Sequence, residues 1–272
     1  MTSGLSAANF FSCLPWVALA ILAVLLTTYV ASRIAGKHSV IDTAWGLLFV
    51  AAAVAAFVCS TGHGDLARRW LLLSMTVLWG GRLAVHIGRR SIGKGEDPRY
   101  EEMLADRGAL ETVLLVYGLQ GLLAFLISMP VVVGMFLRAG LTPLAFVGVG
   151  LWVLGVLFEG IGDAQLEKFK KAKAAGSLPK DAVLDTGLWR YTRHPNYFGD
   201  ACVWVGVFLV TAERWPGVLT IFAPAIMVYL LAFGSGKRVL ERSMAKRPGY
   251  RDYMKRTSGF IPWVPQRPQH SD

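Results

Sequence analysis

The sequence predicts an all-α fold: a multi-pass integral membrane helical bundle of about seven transmembrane helices, with the N-terminus outside and the C-terminus in the cytosol. Hydrophobic residues make up 54% of the 272 residues and charged residues only 17%, a composition too apolar for a soluble domain. Apolar runs of the length that crosses a bilayer, about 17 to 25 residues, recur along the chain. Positively charged residues gather in alternate connections between these runs.

Each apolar run predicts one membrane-spanning helix. The chain is predicted to consist of a short N-terminal segment, one membrane domain that contains all the runs, and a C-terminal tail. The first fifteen residues contain no Lys or Arg, so they lack the basic start of a signal peptide, and the first run is predicted to be retained as a helix. Residues 1–15 are an N-terminal segment, 16–263 one membrane domain and 264–272 a C-terminal tail. The predicted spans are 16–34, 41–60, 68–87, 113–137, 142–162, 195–212 and 215–235.

The distribution of cations predicts the orientation. Most of the 28 Lys and Arg residues follow the first, third, fifth and seventh runs, and such an excess is typical of cytosolic loops. This asymmetry accounts for most of the net charge of +10, so no nucleic-acid partner is predicted. The cations outside those connections are Arg68, Arg69, Arg82, Arg138 and Arg214.

Two kinds of site are not expected. Cys13, Cys59 and Cys202 show neither CxxC nor metal-ligand spacing, so we predict no disulfide framework and no metal site. The chain also lacks a GxGxxG or GxSxG motif. A dinucleotide, if bound, is therefore not bound by a Rossmann unit.

Ionisable residues inside apolar runs are costly, so each is either functional or part of a buried pair. Asp42 opens the second run, where it is either a functional acid or a helix N-cap. Glu159 and Asp163 end the fifth run one turn apart, with Lys170 roughly two turns beyond if the helix continues into the cytosol. The alternative for Glu159, Asp163 and Lys170 is a solvated helix end with ion pairs between successive turns.

The third run carries a row of polar residues. Trp79, Arg82, His86 and then Arg89 or Arg90 recur at three- and four-residue spacing, which aligns them along one side of a helix. This row indicates a polar pocket. Snorkelling of Arg82 to the membrane interface is the alternative.

The stretch 187–200 concentrates cations, aromatic rings, an amide and a carboxylate at the start of an apolar run. Pro195 fixes its own φ and disfavours helical geometry at the preceding residue, so a helix is predicted to begin there, with Asn196 in its first turn. Arg190 and Arg193 stand beside that start, where guanidinium groups can grip phosphate oxygens. The cluster predicts a ligand site, with a basic aromatic membrane anchor as the alternative.

These polar groups all fall near the predicted cytosolic ends of their helices. Polar groups from different helices at one depth are what a cavity open to the cytosol and reaching into the membrane requires. Such a cavity admits a charged cofactor from water and an apolar substrate from lipid. The basic region after residue 235 lies on the same face, either within the site or as an amphipathic tail on anionic membrane lipids.

Several motifs together resemble a known family. The chain resembles the bacterial DUF1295 membrane proteins, which are related to the steroid 5-alpha-reductase C-terminal family in the isoprenylcysteine carboxyl methyltransferase-like superfamily. Membrane methyltransferases of that type share the Arg-His-Pro segment at 193–195, but Arg242 follows Glu241 where they have a second Glu. The matching motifs are 42–46, 79–86, 96–100, 187–200 and the pair Tyr250 and Tyr253.

The resemblance implies that NADPH enters the bundle from the cytosolic side of a bacterial inner membrane. It places Asn196 and Asp200 at contacts to the nicotinamide. Steroid reductases hold the substrate carbonyl with a Glu and a Tyr, whereas Asp42 and Trp79 occupy the nearest positions here. Trp79 cannot protonate a carbonyl oxygen, which speaks against a steroid substrate. The other implied pocket positions are Arg82, His86, Asp163 and Tyr191, with Lys170 on a phosphate.

We predict an oxidoreductase that transfers hydride from NADPH to a C=C bond in a lipid-like substrate of the steroid, isoprenoid or fatty acyl type. Asp42 polarises the substrate carbonyl, with Tyr197 as the rival proton donor. The alternatives are an S-adenosylmethionine-dependent methyltransferase acting on a lipid or isoprenoid, and a non-enzymatic membrane protein. The predicted cofactor contacts are Arg82, His86, Arg89, Asp163, Lys170, Tyr191, Arg193, His194, Asn196 and Asp200, with Arg82, Arg89, Lys170 and Arg193 on the phosphates.

Overall fold

The computed structural model describes residues 5–179, 181–234 and 236–266, and within these ranges the regular elements are helices. Five of them are long and apolar enough to cross a membrane: Ala7–Ala35, Val40–Cys59, Leu66–Ser91, Ala109–Ile127 and Pro143–Ala174. Helices satisfy their own backbone hydrogen bonds, which is a requirement inside hydrocarbon. The predictions of an all-α fold and of an integral membrane protein are therefore confirmed.

The helices follow one another with short connections. A π-helical stretch, Val113–Gly118, joins α5 to α6, and two 3₁₀ turns, Gly187–Arg190 and Gly217–Ile221, precede α9 and α10. The α-helices are α1 Ala7–Ala35, α2 Val40–Cys59, α3 Leu66–Ser91, α4 Pro98–Leu104, α5 Ala109–Thr112, α6 Leu119–Ile127, α7 Met129–Met135, α8 Pro143–Ala174, α9 Pro195–Ala212, α10 Phe222–Ala232, α11 Lys237–Met244 and α12 Tyr250–Arg256.

The first and fourth predicted spans differ from the structure in where the helix begins or breaks. Helix α1 begins well before residue 16 and runs through Pro15, so most of the predicted N-terminal segment is helical. The predicted fourth span, 113–137, is broken at Ser128. Pro130 follows within the first turn of α7, and a proline has no N–H to continue the preceding helical ladder.

The last two predicted spans are shorter than the other five. Helix α9 has the predicted bounds, and Gly217–Ala232 is a shorter apolar helix whose first turn is 3₁₀. The chain divides into two compact units: a first unit of residues 1–147 and 207–223, and a second of residues 148–206 and 224–272. The predicted single domain over 16–263 stays a prediction.

The first unit is built around α2, which packs against both α1 and α3. Helices α2 and α3 approach most closely at Gly46 and Gly80, where a Cβ on Gly46 would lie only 2.3 Å from the Gly80 carbonyl oxygen. Phe49 and Trp79 pack edge to face beside this crossing, with ring centroids 5.5 Å apart. Trp79 is almost fully buried, so it is part of this core.

A buried ion pair also holds the first unit. Arg68 Nη1 lies 2.7 Å from Glu213 Oε2, and both side chains are fully buried. Glu213 Oε1 accepts hydrogen bonds from the backbone N–H groups of Thr142 and Ala145, at 2.7 and 2.8 Å. Burial raises the pKa of Glu213, but hydrogen bonds from Thr142 and Arg68 outweigh it and lower the pKa below its ordinary value.

The second unit is organised by a close antiparallel contact between α8 and α9. A Cβ on Gly199 would lie 2.5 Å from the Gly155 carbonyl oxygen, and a Cβ on Gly206 would lie 2.5 Å from the Gly148 carbonyl oxygen. One turn beyond, Gly162 meets the ring of Pro195. Small residues let helix backbones approach within van der Waals distance. The contact brings the start of α9 against the half of α8 that is predicted to lie nearer the cytosol.

We expect Gly199→Ala to destabilise the protein, although alanine is favoured over glycine in an isolated helix by about 1 kcal/mol. The added methyl group would meet the Gly155 carbonyl, and such overpacking costs about 1–3 kcal/mol. The measurement is the thermal unfolding midpoint of the purified protein in detergent.

Gly160→Ala is the matched control for this change. Gly160 lies in the same helix pair, but a Cβ there would meet no atom within 4 Å, so its midpoint should stay equal or rise. Equal midpoints for the two variants would contradict the assigned close contact.

Candidate functional site

The stretch 187–200 lies in the second unit. It starts with the 3₁₀ turn Gly187–Arg190 and continues into α9, which begins at Pro195 as predicted. The turn is fastened to α8. Gln165 Oε1 accepts from the Leu188 backbone N–H at 3.0 Å, and Trp189 Nε1 donates to the Gly162 carbonyl at 3.1 Å. The guanidinium of Arg193 and the imidazole of His194, which lie between the turn and Pro195, are therefore held at a fixed place beside α8.

Arg193 and His194 meet at one carboxylate, that of Glu241 on α11. Arg193 Nε donates to Glu241 Oε1 at 2.8 Å, and His194 Nε2 lies 3.0 Å from the same oxygen. A carboxylate can only accept, so the proton of the imidazole lies on Nε2. Arg193, His194 and Glu241 thus form one buried polar cluster, which we call the Glu241 cluster.

The charges of the Glu241 cluster follow from its surroundings. Burial raises the pKa of Glu241, but hydrogen bonds from His194 and Arg193 outweigh burial and lower the pKa to about 2. Burial lowers the pKa of His194 below its ordinary value, more than the contact with Glu241 raises it. The cluster at neutral pH is an ionised carboxylate between a guanidinium and a neutral imidazole.

The C-terminal segment closes over the Glu241 cluster. Arg193 Nη1 donates to the carbonyls of Met254 and Thr257, at 2.8 and 2.6 Å. Thr192 Oγ1 donates to the Phe260 carbonyl at 2.8 Å, and Tyr253 Oη donates to the Trp189 carbonyl at 2.5 Å. Only 8% of Arg193 is exposed, so its guanidinium acts inside the protein.

An amide and two carboxylates lie at the start of α9 and on the facing part of α8. Asn196 Nδ2 lies 3.5 Å from Asp163 Oδ1, and Asp200 follows Asn196 by one turn. Asp163 and Asp200 are both buried, as is Glu159 one turn before Asp163. Three buried acids on two adjoining helices are unusual in an apolar unit, because burying a carboxylate is costly.

The remaining predicted residues of the second unit lie around these groups. The Tyr197 ring stacks on the His194 ring with centroids 5.2 Å apart and planes 5° apart. The Tyr191 side chain is half-exposed, and its carbonyl accepts from the Trp263 N–H at 2.9 Å. Lys170 is exposed on α8, which continues past the predicted end of the fifth span at residue 162 to Ala174.

The other predicted residues lie in the first unit. Asp42 is in the first turn of α2, and it accepts from Tyr100 Oη at 2.7 Å and from Arg99 Nη2 at 3.1 Å. The N-cap of α2 is Ser39, so the N-cap alternative for Asp42 is wrong. The predicted row continues on α3, where Arg82 and His86 are half-buried and Arg89 is exposed.

Glu241 and Glu96 are the polar groups that the sequence did not identify as central. Glu96 accepts from the backbone N–H groups of Ser39 at 2.9 Å and Asp97 at 3.0 Å, so a distant loop carboxylate holds the start of α2. Each acid acts on residues more than forty positions away. In the sequence each of these acids is a charged residue next to an aromatic or basic motif. That position does not indicate which distant residue the acid contacts.

The family model described as "Protein of unknown function (DUF1295)" matches residues 28–257. No curated protein and no solved structure matches the chain. The match covers most of the chain, so the resemblance to DUF1295 is confirmed. The relationship to steroid 5-alpha-reductases stays a prediction.

Replacing Glu241 with Gln should destabilise the protein by on the order of 2 kcal/mol, the contribution expected of hydrogen bonds to a charged group. The buried guanidinium of Arg193 would lose its counter-charge while the volume stays the same. Thermal unfolding in detergent measures the loss.

Asp252→Asn is the control for Glu241→Gln. It makes the same chemical change in the same unit, but the Asp252 side chain is 72% exposed, where an ion pair contributes little. A shift as large as that of Glu241→Gln would contradict the central place of the Glu241 carboxylate.

Stability should also depend on pH through His194. Its pKa is lowered in the folded protein, so as pH falls below the ordinary value of 6.5 the unfolded chain takes up a proton first and stability declines. Glu241, with a pKa of about 2 against an ordinary 4.5, contributes stability above pH 4.5 that is lost as pH falls toward 2. His194→Gln should flatten the unfolding midpoint just below pH 6.5 and leave the loss below 4.5. A slope just below pH 6.5 that is the same in His194→Gln and in the wild type would argue against a neutral His194.

Proposed function

This chain belongs to the DUF1295 family, and we propose that it is a membrane-embedded reductase that uses NADPH to reduce a C=C bond in a lipid-like substrate. The observation that supports it is an amide beside a buried carboxylate: Asn196 Nδ2 lies 3.5 Å from Asp163 Oδ1, and a second buried carboxylate, Asp200, follows Asn196 by one turn of α9. A nicotinamide carboxamide both donates and accepts hydrogen bonds, so such a set can orient it.

The chemistry needs a hydride donor close to the substrate and a group that polarises an adjoining carbonyl. NADPH supplies the hydride when bound. Asn196 and Asp200 orient the nicotinamide, and Asp163 supports Asn196. Tyr197, packed on the His194 ring, is the proton donor within this unit, and the catalytic role of Asp42 stays a prediction from the sequence.

Fewer residues are proposed as phosphate contacts than the sequence alone suggested, because Arg193 is left out. Arg193 already donates to Glu241 and to two backbone carbonyls. Its role is therefore to position His194 and the start of α9, while Lys170, which is exposed, is the phosphate contact of the second unit. Tyr191 remains a proposed cofactor contact of the second unit, and the cofactor roles of Arg82, His86 and Arg89 stay predictions from the sequence.

The proposal includes an arrangement in the membrane. Helix α9 and the segment Gly217–Ala232 serve as the sixth and seventh spans, with the N-terminus outside and the C-terminus in the cytosol. The distribution of Lys and Arg supports this orientation. The site then faces the cytosol of a bacterial cell, where NADPH is available, and the substrate arrives from the inner membrane.

One observation favours a second candidate, a methyltransferase that uses S-adenosylmethionine. That cofactor carries no phosphate, and the internal hydrogen bonds of Arg193 leave the second unit with fewer cations for one. The two candidates predict different ligands. A non-enzymatic membrane protein would bind neither.

Purified protein should bind NADPH in detergent, and Asp200→Asn should weaken that binding about tenfold or more, the effect of losing one hydrogen bond to a charged group. The change removes a buried charge at nearly constant volume. Fluorescence titration of NADPH measures the affinity, with S-adenosylmethionine as competitor.

Asp252→Asn, an exposed change of the same kind, should bind NADPH as the wild type does. Binding of S-adenosylmethionine without NADPH would replace the reductase by the methyltransferase. If neither ligand binds, both enzymatic proposals fail. Comparison of membrane lipid extracts with and without the gene, for a species shifted by the mass of two hydrogens, then identifies the substrate class.

A further inference from the structure

A second polar site lies on the second unit, beside the 3₁₀ turn Gly187–Arg190. It is a cavity of about 460 Å³, within the range of about 300–1,000 Å³ that ligand pockets occupy. Its polar lining comes from the turn, from the end of α12 and from the segment after it. The residues that matter are Asp185, Thr186, Arg190, Arg256, Thr257 and Gln266.

The cavity lining carries an excess of positive charge. Arg256 Nη2 donates to the Asp185 carboxylate, which leaves the other N–H groups of that guanidinium available. Arg190 is exposed, and its guanidinium makes no hydrogen bond to another residue in the described part of the chain. Two guanidinium groups therefore face one carboxylate, and a guanidinium matches phosphate oxygens with two parallel hydrogen bonds.

The walls of the cavity are held in place before any ligand arrives. Gly187 has φ of +60° and touches the Gln165 amide so closely that a Cβ would lie 2.3 Å away. On the opposite side the Gln266 N–H donates to the Arg256 carbonyl at 2.9 Å. Tyr253 ties the two walls together through the Trp189 carbonyl. A preformed site loses less free energy on ordering when it binds.

We propose that this cavity binds the phosphate group of a ligand, with Arg190 as its main contact and Arg256 as the second. The site is separate from the amide and carboxylates around Asn196 and does not depend on the proposed reductase activity. Two sources supply the same chemistry: a soluble phosphorylated compound, or the headgroup of an anionic phospholipid. The hydroxyl groups of Thr186 and Thr257 are further donors to the phosphate oxygens.

The test uses the full chain in neutral detergent with two probes. Pyrophosphate is titrated by calorimetry at constant ionic strength, and retained phosphatidylglycerol is counted by native mass spectrometry. Arg190→Ala should weaken binding of one probe by about tenfold or more, the loss expected for a charged hydrogen-bonded contact. Arg190→Lys keeps the charge without the paired hydrogen bonds and should lie between.

Arg242→Ala is the matched control, because Arg242 is an exposed arginine of the same unit outside the cavity lining. Loss with pyrophosphate identifies a soluble ligand, and loss with phosphatidylglycerol identifies a lipid headgroup; either supports the site. Equal losses for Arg190→Ala and Arg242→Ala, or no saturable binding of either probe, would overturn it. Either result leaves the NADPH titration unaffected, so failure of this site is distinct from failure of the proposed reductase.

Discussion

The close contact of α8 with α9 is the constraint on which the candidate site depends. Water drives apolar helices together in soluble proteins, but in hydrocarbon the association rests on packing and on hydrogen bonds between helices. Glycines on both helices let the two backbones touch, at Gly155 with Gly199 and at Gly148 with Gly206. This approach places Asp163 within 3.5 Å of Asn196. A larger side chain in that seam would clash with the facing backbone and push the polar groups of the two helices apart.

A second constraint is electrostatic. Glu241 brings an ionised carboxylate into a mostly buried place, and such a charge is tolerated only when donors surround it. Arg193 and His194 are those donors. Because both residues directly precede Pro195, the carboxylate holds the segment that leads into α9. The two constraints act on one helix: the glycine seam sets how close α9 lies to α8, and Glu241 anchors the residues just before its first turn.

Local rules explain the parts of the fold that the sequence predicts. The start of α9 at Pro195 follows from the restricted φ of proline, and α8 begins one residue from the predicted start of the fifth span but continues to Ala174, well past the end of its apolar run. The only sign in the sequence of the break at Ser128 is Pro130. Because Pro130 lies inside a long apolar run, the hydropathy of that run led to the prediction of one continuous span. Gly148, Gly155 and Gly162 repeat at seven-residue spacing, yet a period on one helix does not name the helix it faces. The partners of Asp42 and of Arg193 were likewise out of reach, because both bonds join distant segments.

Arg190 and Arg193 show why motif recognition stops short of chemistry. The two residues are both arginines and lie three positions apart, so the sequence alone does not distinguish their roles. Arg193 is buried and spends its donors on Glu241 and two carbonyls, whereas Arg190 is exposed at the rim of a cavity. A guanidinium that is already satisfied can position its neighbours but has little left for a ligand, and one that faces solvent can bind an anion. The role of each cation in this motif is therefore decided by the C-terminal segment that covers one and leaves the other open.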